Sequence, residues 1–397
     1  MENVKNFIAK MDEHILYKQD YDYSNISLFG GVTGVIYYCF SSKNEVLKEK
    51  GYKLLNDLLA YILDNKVSNY PYANGICGVL FLLNYLKEYD YLDDDIEAFV
   101  RPIEDHIINN IIERDYSIDN KDFLYGIFGY LHYFASKPAN KFNEDVLKKL
   151  IDDLAINSIR EDGKMYVTNN FYNKEKITFS SDSTKRIEDI KAINFGLAHG
   201  NLALGLIMLN VLIKYPNISN VKPLIIELAN IYIENFNTDN IKTSNTLFPN
   251  LKVENQKTIY NSMPLAWCYG DLSIALFLHR VYQETANEKY KDISLMTLNH
   301  HLSKNSIRTQ DLDLYYCHGY AGAIAQYESL YELIKDEKLR DESTKWSVEL
   351  GLKLNSELID KDMNTLFNDS LDLLNGSLSI GLLYNSKTVS WKQIFLN

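Results

Sequence analysis

A short pattern recurs seven times along the chain: a glycine, two residues, a small residue, then an apolar, helix-like run. It reads Gly31-Val-Thr-Gly34 before VIYYCF, Gly75-Ile-Cys-Gly78 before VLFLLNYL, Gly126-Ile-Phe-Gly129 before YLHYF and Gly200-Asn-Leu-Ala203 before LGLIML. It returns as Gly270-Asp-Leu-Ser273 before IALFL, Gly319-Tyr-Ala-Gly322 before AIAQYESL and Gly376-Ser-Leu-Ser379 before IGLLY. Successive first glycines stand 44, 51, 74, 70, 49 and 57 residues apart, the range of repeat architectures. Amphipathic stretches fill the intervals. In residues 44–65, Val46, Leu54, Leu55, Leu58, Leu59 and Ile62 fall largely at spacings of three and four, which marks one face of a helix. Residues 341–360 form another such stretch. Each repeat therefore reads as an outer amphipathic helix, a loop and an inner apolar helix. Seven such hairpins, about fourteen helices, either stack into an open solenoid or close into a ring. Inner helices this apolar favour closure, because a ring buries them on every side. The small residues one turn apart are expected to let the inner helices approach closely at their N-terminal ends.

Two intervals are longer than the rest, which places inserts near 156–190 and 236–262 in a single domain over 1–397. The first insert alternates at Lys164-Met-Tyr-Val-Thr168 and Lys176-Ile-Thr-Phe179 and contains Asp162-Gly163, the signals of a small β-hairpin. A surface loop is the alternative.

Composition narrows the function. The 397 residues are 46% hydrophobic and 24% charged, enough apolar material for a large core. The net charge of −12 argues against nucleic acid as a partner and against a basic membrane-surface helix. No apolar run approaches a membrane span, and MENVKNFIAKMDEH is not a secretory signal. Only Cys39, Cys77, Cys268 and Cys317 occur, too few for a disulfide scaffold. A cytoplasmic protein is expected, with thiols available for metal or chemistry.

Alignment of the repeats on the first glycine puts the chemistry at one place. The preceding residue is Gly30, Asn74, Tyr125, His199, Tyr269, His318 and Asn375 in turn. Two before it stand Phe29, Ala73, Leu124, Ala198, Cys268, Cys317 and Leu374. In a closed ring, equivalent loops converge at one end, so Cys268, Cys317, His318, His199 and Tyr269 would face one another there. Two cysteines and a histidine with an open fourth position form a known catalytic zinc arrangement. Cys39, Cys77 and His132 lie in apolar segments and read as core residues. His300 and His301 read as dipole partners or solvated residues at a helix end, and Asp93, Asp94 and Asp95 as a solvated face or a helix N-terminus.

At Ala198-His199-Gly200, Trp267-Cys268-Tyr269-Gly270 and Cys317-His318-Gly319 the sequence resembles the lanthionine synthetase C-like family, in order and spacing. The resemblance implies an all-α, α/α-toroid fold and one Zn2+ held by Cys268, Cys317 and His318. It implies thioether ring formation in a dehydrated precursor peptide, where a Cys adds to dehydroalanine or dehydrobutyrine. His199 matches the acid–base residue, Tyr269 a pocket residue and Asp122 the active-site aspartate, although Asp122 by itself reads as a helix N-cap. A separate dehydratase, an export transporter, and membrane association only through such partners are also implied. Three positions depart from the family: Pro264 replaces an arginine, Asp271 a glycine, and Ala203 a glycine. Two other functions fit the same chain: a non-catalytic thiol- or glutathione-binding protein, and an α/α-toroid glycosidase, which needs paired carboxylates.

Overall fold

A computed structural model describes residues 2–117, 120–168, 192–237, 245–253, 258–260, 263–303, 312–360, 366–367 and 370–397. Fifteen α-helices dominate the described residues. Two compact units share them. The first takes the described residues of Met1–Glu97, Leu265–Trp267 and Arg308–Asn397, and the second those of Ala98–Pro264 and Cys268–Ile307.

In the first unit, α2 (Val32–Ser41), α4 (Ile76–Glu88), α13 (Tyr320–Ile334) and α15 (Ser377–Asn385) are the inner helices. Every residue of α2 is buried, as its unbroken apolar run requires. The outer helices are α1 (Glu2–Tyr17), α3 (Val46–Asn65) and α14 (Glu337–Asp360). On α3 the buried face is Leu47, Leu54, Leu55, Leu58 and Ile62, whereas Val46 is exposed. The expected stripe is thus right except at Val46, where the helix begins and Leu47 turns inward instead, and at Leu59, which is only half-buried. A 3-10 helix, Val389–Phe395, ends the unit. Its Phe395 ring stacks on Tyr316, and its Phe395 carbonyl accepts from Trp267 Nε1 at 2.8 Å.

The second unit holds inner helices α7 (Ile127–Ser136), α9 (Asn201–Lys214) and α11 (Asp271–Thr285). Its outer helices are α8 (Lys141–Ile156), α10 (Val221–Glu234) and α12 (Glu288–Ser303). A further outer run comprises α5 (Glu97–His106), a π turn over Ile107–Ile111, and α6 (Ile112–Ser117). Counting that broken run once gives the seven hairpins expected from the repeats.

The pairing order differs from the sequence reading. Five later outer helices pack on the inner helix that precedes them: α3 on α2, α8 on α7, α10 on α9, α12 on α11 and α14 on α13, whereas α6 of the broken run packs on the α7 that follows it. Short turns make those helices antiparallel neighbours, whereas the longer glycine loops lead on to the next inner helix. The N-terminal α1 has no earlier partner and packs on α14 and α15.

The seven glycine N-caps are extended, from Gly376 at φ −149° to Gly270 at φ −85°, so none needs glycine for its backbone angle. Room is the reason. A Cβ on Gly75 would stand 2.6 Å from the Asn69 carbonyl oxygen, and one on Gly31, Gly126, Gly319 or Gly376 would clash with the residue six before it. The second small residue does the same for the chain's own loop. A Cβ at Gly34, Gly78 or Gly322 would strike the carbonyl of Leu28, Tyr72 or Tyr316. The expected helix-to-helix approach is therefore only part of the reason. The pattern chiefly lets each loop fold back over the N-terminus of its own helix, although Gly78 also faces Leu28 of the neighbouring repeat.

Backbone bonds stitch adjacent loops together at the position two before the glycine. The Ala73 carbonyl accepts from Leu28 N–H at 2.9 Å, Cys268 from Leu197 at 2.7 Å, Cys317 from Trp267 at 2.9 Å and Leu374 from Cys317 at 2.9 Å. Phe29 accepts from Leu373 at 2.7 Å, which ties the seventh repeat to the first.

Small β elements brace the fourth loop. β1 (Ile159–Glu161) and β2 (Lys164–Tyr166) form the hairpin that Asp162-Gly163 signals, with Gly163 at φ +70°. Residues 176–179, the other expected strand, lie outside the described residues. β3 (Ala192–Asn194) pairs antiparallel with β4 (Leu251–Val253), so segments of the two long intervals join. Asn201, the first residue of α9, holds Val167 through both side-chain atoms, at 2.9 and 3.0 Å. Cys39, Cys77 and His132 are buried as expected. Asp94 opens a 3-10 turn with Asp93 exposed before it.

Candidate metal centre and acid–base pair

Cys268 and Cys317 occupy equivalent places in loops five and six. The Trp267 N–H to Cys317 carbonyl bond brings those loops together one residue away from Cys268. Both thiols are buried and His318 is half-buried. The ligating atoms of Cys268, Cys317 and His318 all lie within 4.8 Å of one another, the one such trio of His, Cys, Asp or Glu among the described residues. The Cys317 Sγ to His318 Nε2 distance is 3.6 Å. Ligands at ordinary zinc–sulfur and zinc–nitrogen lengths and a tetrahedral angle stand about 3.6 Å apart. The donor set and its spacing therefore fit zinc. Neighbouring residues on a regular helix could not converge this way, and Cys317 and His318 precede the Gly319 N-cap, where the backbone is irregular.

His199 closes loop four. Its Nδ1 lies 2.7 Å from Oδ2 of Asp122, a residue with no exposed side-chain surface. Asp122 is not a helix N-cap, since Gly126 caps α7. Its other oxygen accepts from Leu124 N–H at 2.7 Å and Tyr125 N–H at 2.8 Å. The carboxylate is thus engaged as a hydrogen-bond acceptor on both oxygens. It assigns the proton of neutral His199 to Nδ1 and leaves Nε2 as the exchanging nitrogen.

Tyr269 lies against the same imidazole, with ring centroids 6.5 Å apart. Its hydroxyl accepts from Asn194 Nδ2 at 3.1 Å. The backbone of Gly196 runs directly beneath the phenol, and a Cβ there would stand 2.5 Å from the ring. Tyr125 stacks on His199 from another side at 6.0 Å and 18°. The structure thus adds Tyr125, Asn194 and Gly196 to the residues expected around His199. Tyr125 carried a usable signal, since it holds the same repeat position as His199. Asn194 carried one too, since Asn25, Asn69, Asn120 and Asn194 all stand six residues before a first glycine.

The family departures take on structural meaning. Pro264 occupies that same sixth position, and its carbonyl accepts from Asp271 N–H at 2.8 Å, so the loop closes without a side chain. Asp271 is buried. Its Oδ2 accepts from Leu247 N–H at 2.8 Å and lies 2.8 Å from His301 Nε2. His301 is therefore a buried partner of Asp271, not a solvated residue, and His300 beside it is buried as well. The extra carboxylate in place of a glycine is matched by an imidazole that the sequence placed far from it.

The family model for lanthionine synthetase C-like protein matches residues 22–384. The chain belongs to this family. Among curated relatives, the nisin biosynthesis protein NisC of Lactococcus lactis subsp. lactis is 27% identical over 357 residues, covering 85% of this chain and 81% of that one. Among solved structures, nisin cyclase superposes with a TM-score of 0.74 at 19% identity, covering 100% of this chain and 96% of that one. The all-α, α/α-toroid fold expected from seven hairpins is therefore the fold of this lanthionine synthetase C-like chain. No helix among the described residues is long and apolar enough to cross a membrane.

Proposed function

We propose that this lanthionine synthetase C-like protein is a zinc-dependent cyclase, one α/α-toroid domain over 1–397, that closes lanthionine or methyllanthionine rings. The observation that carries the reading is the convergence of Cys268, Cys317 and His318 within 4.8 Å. Held by these three residues, zinc would supply a Lewis acid that ionises a peptide thiol, which with a free pKa of about 8.5 is only a few per cent thiolate at pH 7.

His199 and Asp122 supply the proton chemistry. As the thiolate sulfur bonds to the β-carbon of dehydroalanine, the alkene electrons move toward the α-carbon and its carbonyl. That carbon then needs a proton. His199 takes up the thiol proton at Nε2 and returns it to that carbon, while Asp122 keeps Nδ1–H oriented and offsets the positive charge of the transient imidazolium. Tyr269 and Tyr125 fix the plane of the ring. Asn194 fixes the Tyr269 hydroxyl. Holding both ends of a peptide loop at one site supplies the proximity contribution. A separate dehydratase would prepare the substrate in the cytoplasm, and an export transporter would take the product.

The test uses a synthetic peptide with one dehydroalanine and one Cys. Loss of its free thiol without a change of mass, abolished by Cys268→Ala, is the expected result. Thiol retained by the zinc-loaded wild-type protein, or consumed equally by the variant, contradicts the reading.

A further inference from the structure

The Asp122–His199 pair has an incomplete counterpart at the junction of repeats seven and one. Asp372 stands four residues before Gly376, as Asp122 stands four before Gly126. Its Oδ1 accepts from Leu374 N–H at 2.5 Å and Asn375 N–H at 2.6 Å, the same two neighbours that Asp122 engages through one oxygen. In the second unit, the other oxygen of Asp122 reaches the residue just before the glycine of the next repeat, His199. In the first unit, the corresponding residue of the next repeat is Gly30. An ideal Cβ on Gly30 would stand 3.0 Å from Asp372 Oδ2, so this carboxylate points at the place a side chain would occupy. Gly30 is exposed and Asp372 half-buried, which leaves that place open to solvent. The Asp372 loop also continues into the metal loop, because the Leu374 carbonyl accepts from the N–H groups of Tyr316 and Cys317.

We propose that Asp372 is a substrate-recognition residue whose Oδ2 binds the ammonium or guanidinium of a basic residue in the peptide, at the place left by Gly30. The identity of the ligand as a peptide rests on the cyclase reading; the binding position rests on the repeat geometry. Burial raises the Asp372 carboxyl above the usual carboxylate range against the pull of its two backbone donors. A cationic partner would offset the cost of that burial.

The experiment measures fluorescence anisotropy with zinc-loaded protein and unreactive synthetic peptides in which Ser replaces Cys. One Lys is moved through the flanking positions, and each peptide is paired with a Gln version. The expected result is a preference for Lys of about fivefold at one position, the order of a single charge-assisted contact at a half-buried site. Asp372→Asn keeps the backbone contacts of Oδ1. It is expected to bring the two peptides to equal affinity with the Gln peptide and the zinc content unchanged, an outcome that a merely structural role would not give. Gly30→His, which supplies an internal partner, should also remove the preference. Equal binding of all pairs by the wild type, binding of none, or a Lys preference that survives Asp372→Asn overturns the proposal. Lys-dependent binding without thiol consumption by the Cys peptide would instead sink the cyclase reading alone.

Discussion

At the scale of single residues, the division of labour is testable through His199 and its supports. His199→Ala should keep its metal and lose about 10²–10⁴-fold in ring closure, the range of one general acid. Asp122→Asn should lose rate while keeping metal, since it disturbs the His199 tautomer without touching a ligand. Unaltered ring formation by either variant in the thiol assay would remove the pair from the reaction. Gly196→Ala is a subtler probe. Its methyl would push Tyr269 off the loop, so activity should fall while a urea titration shows modest destabilisation, about 1–3 kcal/mol. The Cys268, Cys317 and His318 cluster and the place of His199 were legible in the sequence because these residues repeat in phase with the glycines. The Asp122–His199 pair could be read only through the family resemblance, since 77 residues separate its members. By local pattern alone, Asp122 looks like a cap.

Among the elements, the loops and the inserts carry most of what the sequence left unread. Glycine spacing announced seven hairpins, yet it did not say that the second small residue makes room for the loop's own carbonyl. Gly322→Ala should therefore cost about 3 kcal/mol or fail to fold, more than a surface glycine would. Asp271 and His301 illustrate the same limit, because 30 residues separate them and each is ambiguous alone. Both side chains are about 1% exposed. Removing one partner of a buried hydrogen bond leaves the other polar group unsatisfied and typically costs about 1–3 kcal/mol. His301→Ala should fall in that range by urea denaturation. Restoring the family glycine together with an apolar residue, as in Asp271→Gly with His301→Leu, should cost less than His301→Ala alone. A larger loss in the double variant would contradict the pairing.

For the whole molecule, the fold follows from inner helices that are apolar on every side, with the loops of repeats four, five, six, seven, one and two tied in turn through one backbone position. The last repeat reaches the first through Leu373 and Phe29, and α1 completes the final hairpin. Burial, and then Lys291, lower the pKa of His279 on α11, so the folded state takes up its proton less readily than the unfolded chain. The sign follows: this contribution is neutral above the free value of about 6.5 and destabilises as pH falls below it. His279→Leu should therefore narrow the gap between urea midpoints measured at pH 7.5 and pH 5. Zinc at Cys268, Cys317 and His318 is tested by the metal content of the purified protein. Close to one zinc per chain is expected in the wild type and in His199→Ala, with loss of that zinc in Cys268→Ala and in Cys317→Ala. Stoichiometric zinc retained by both cysteine variants would contradict it.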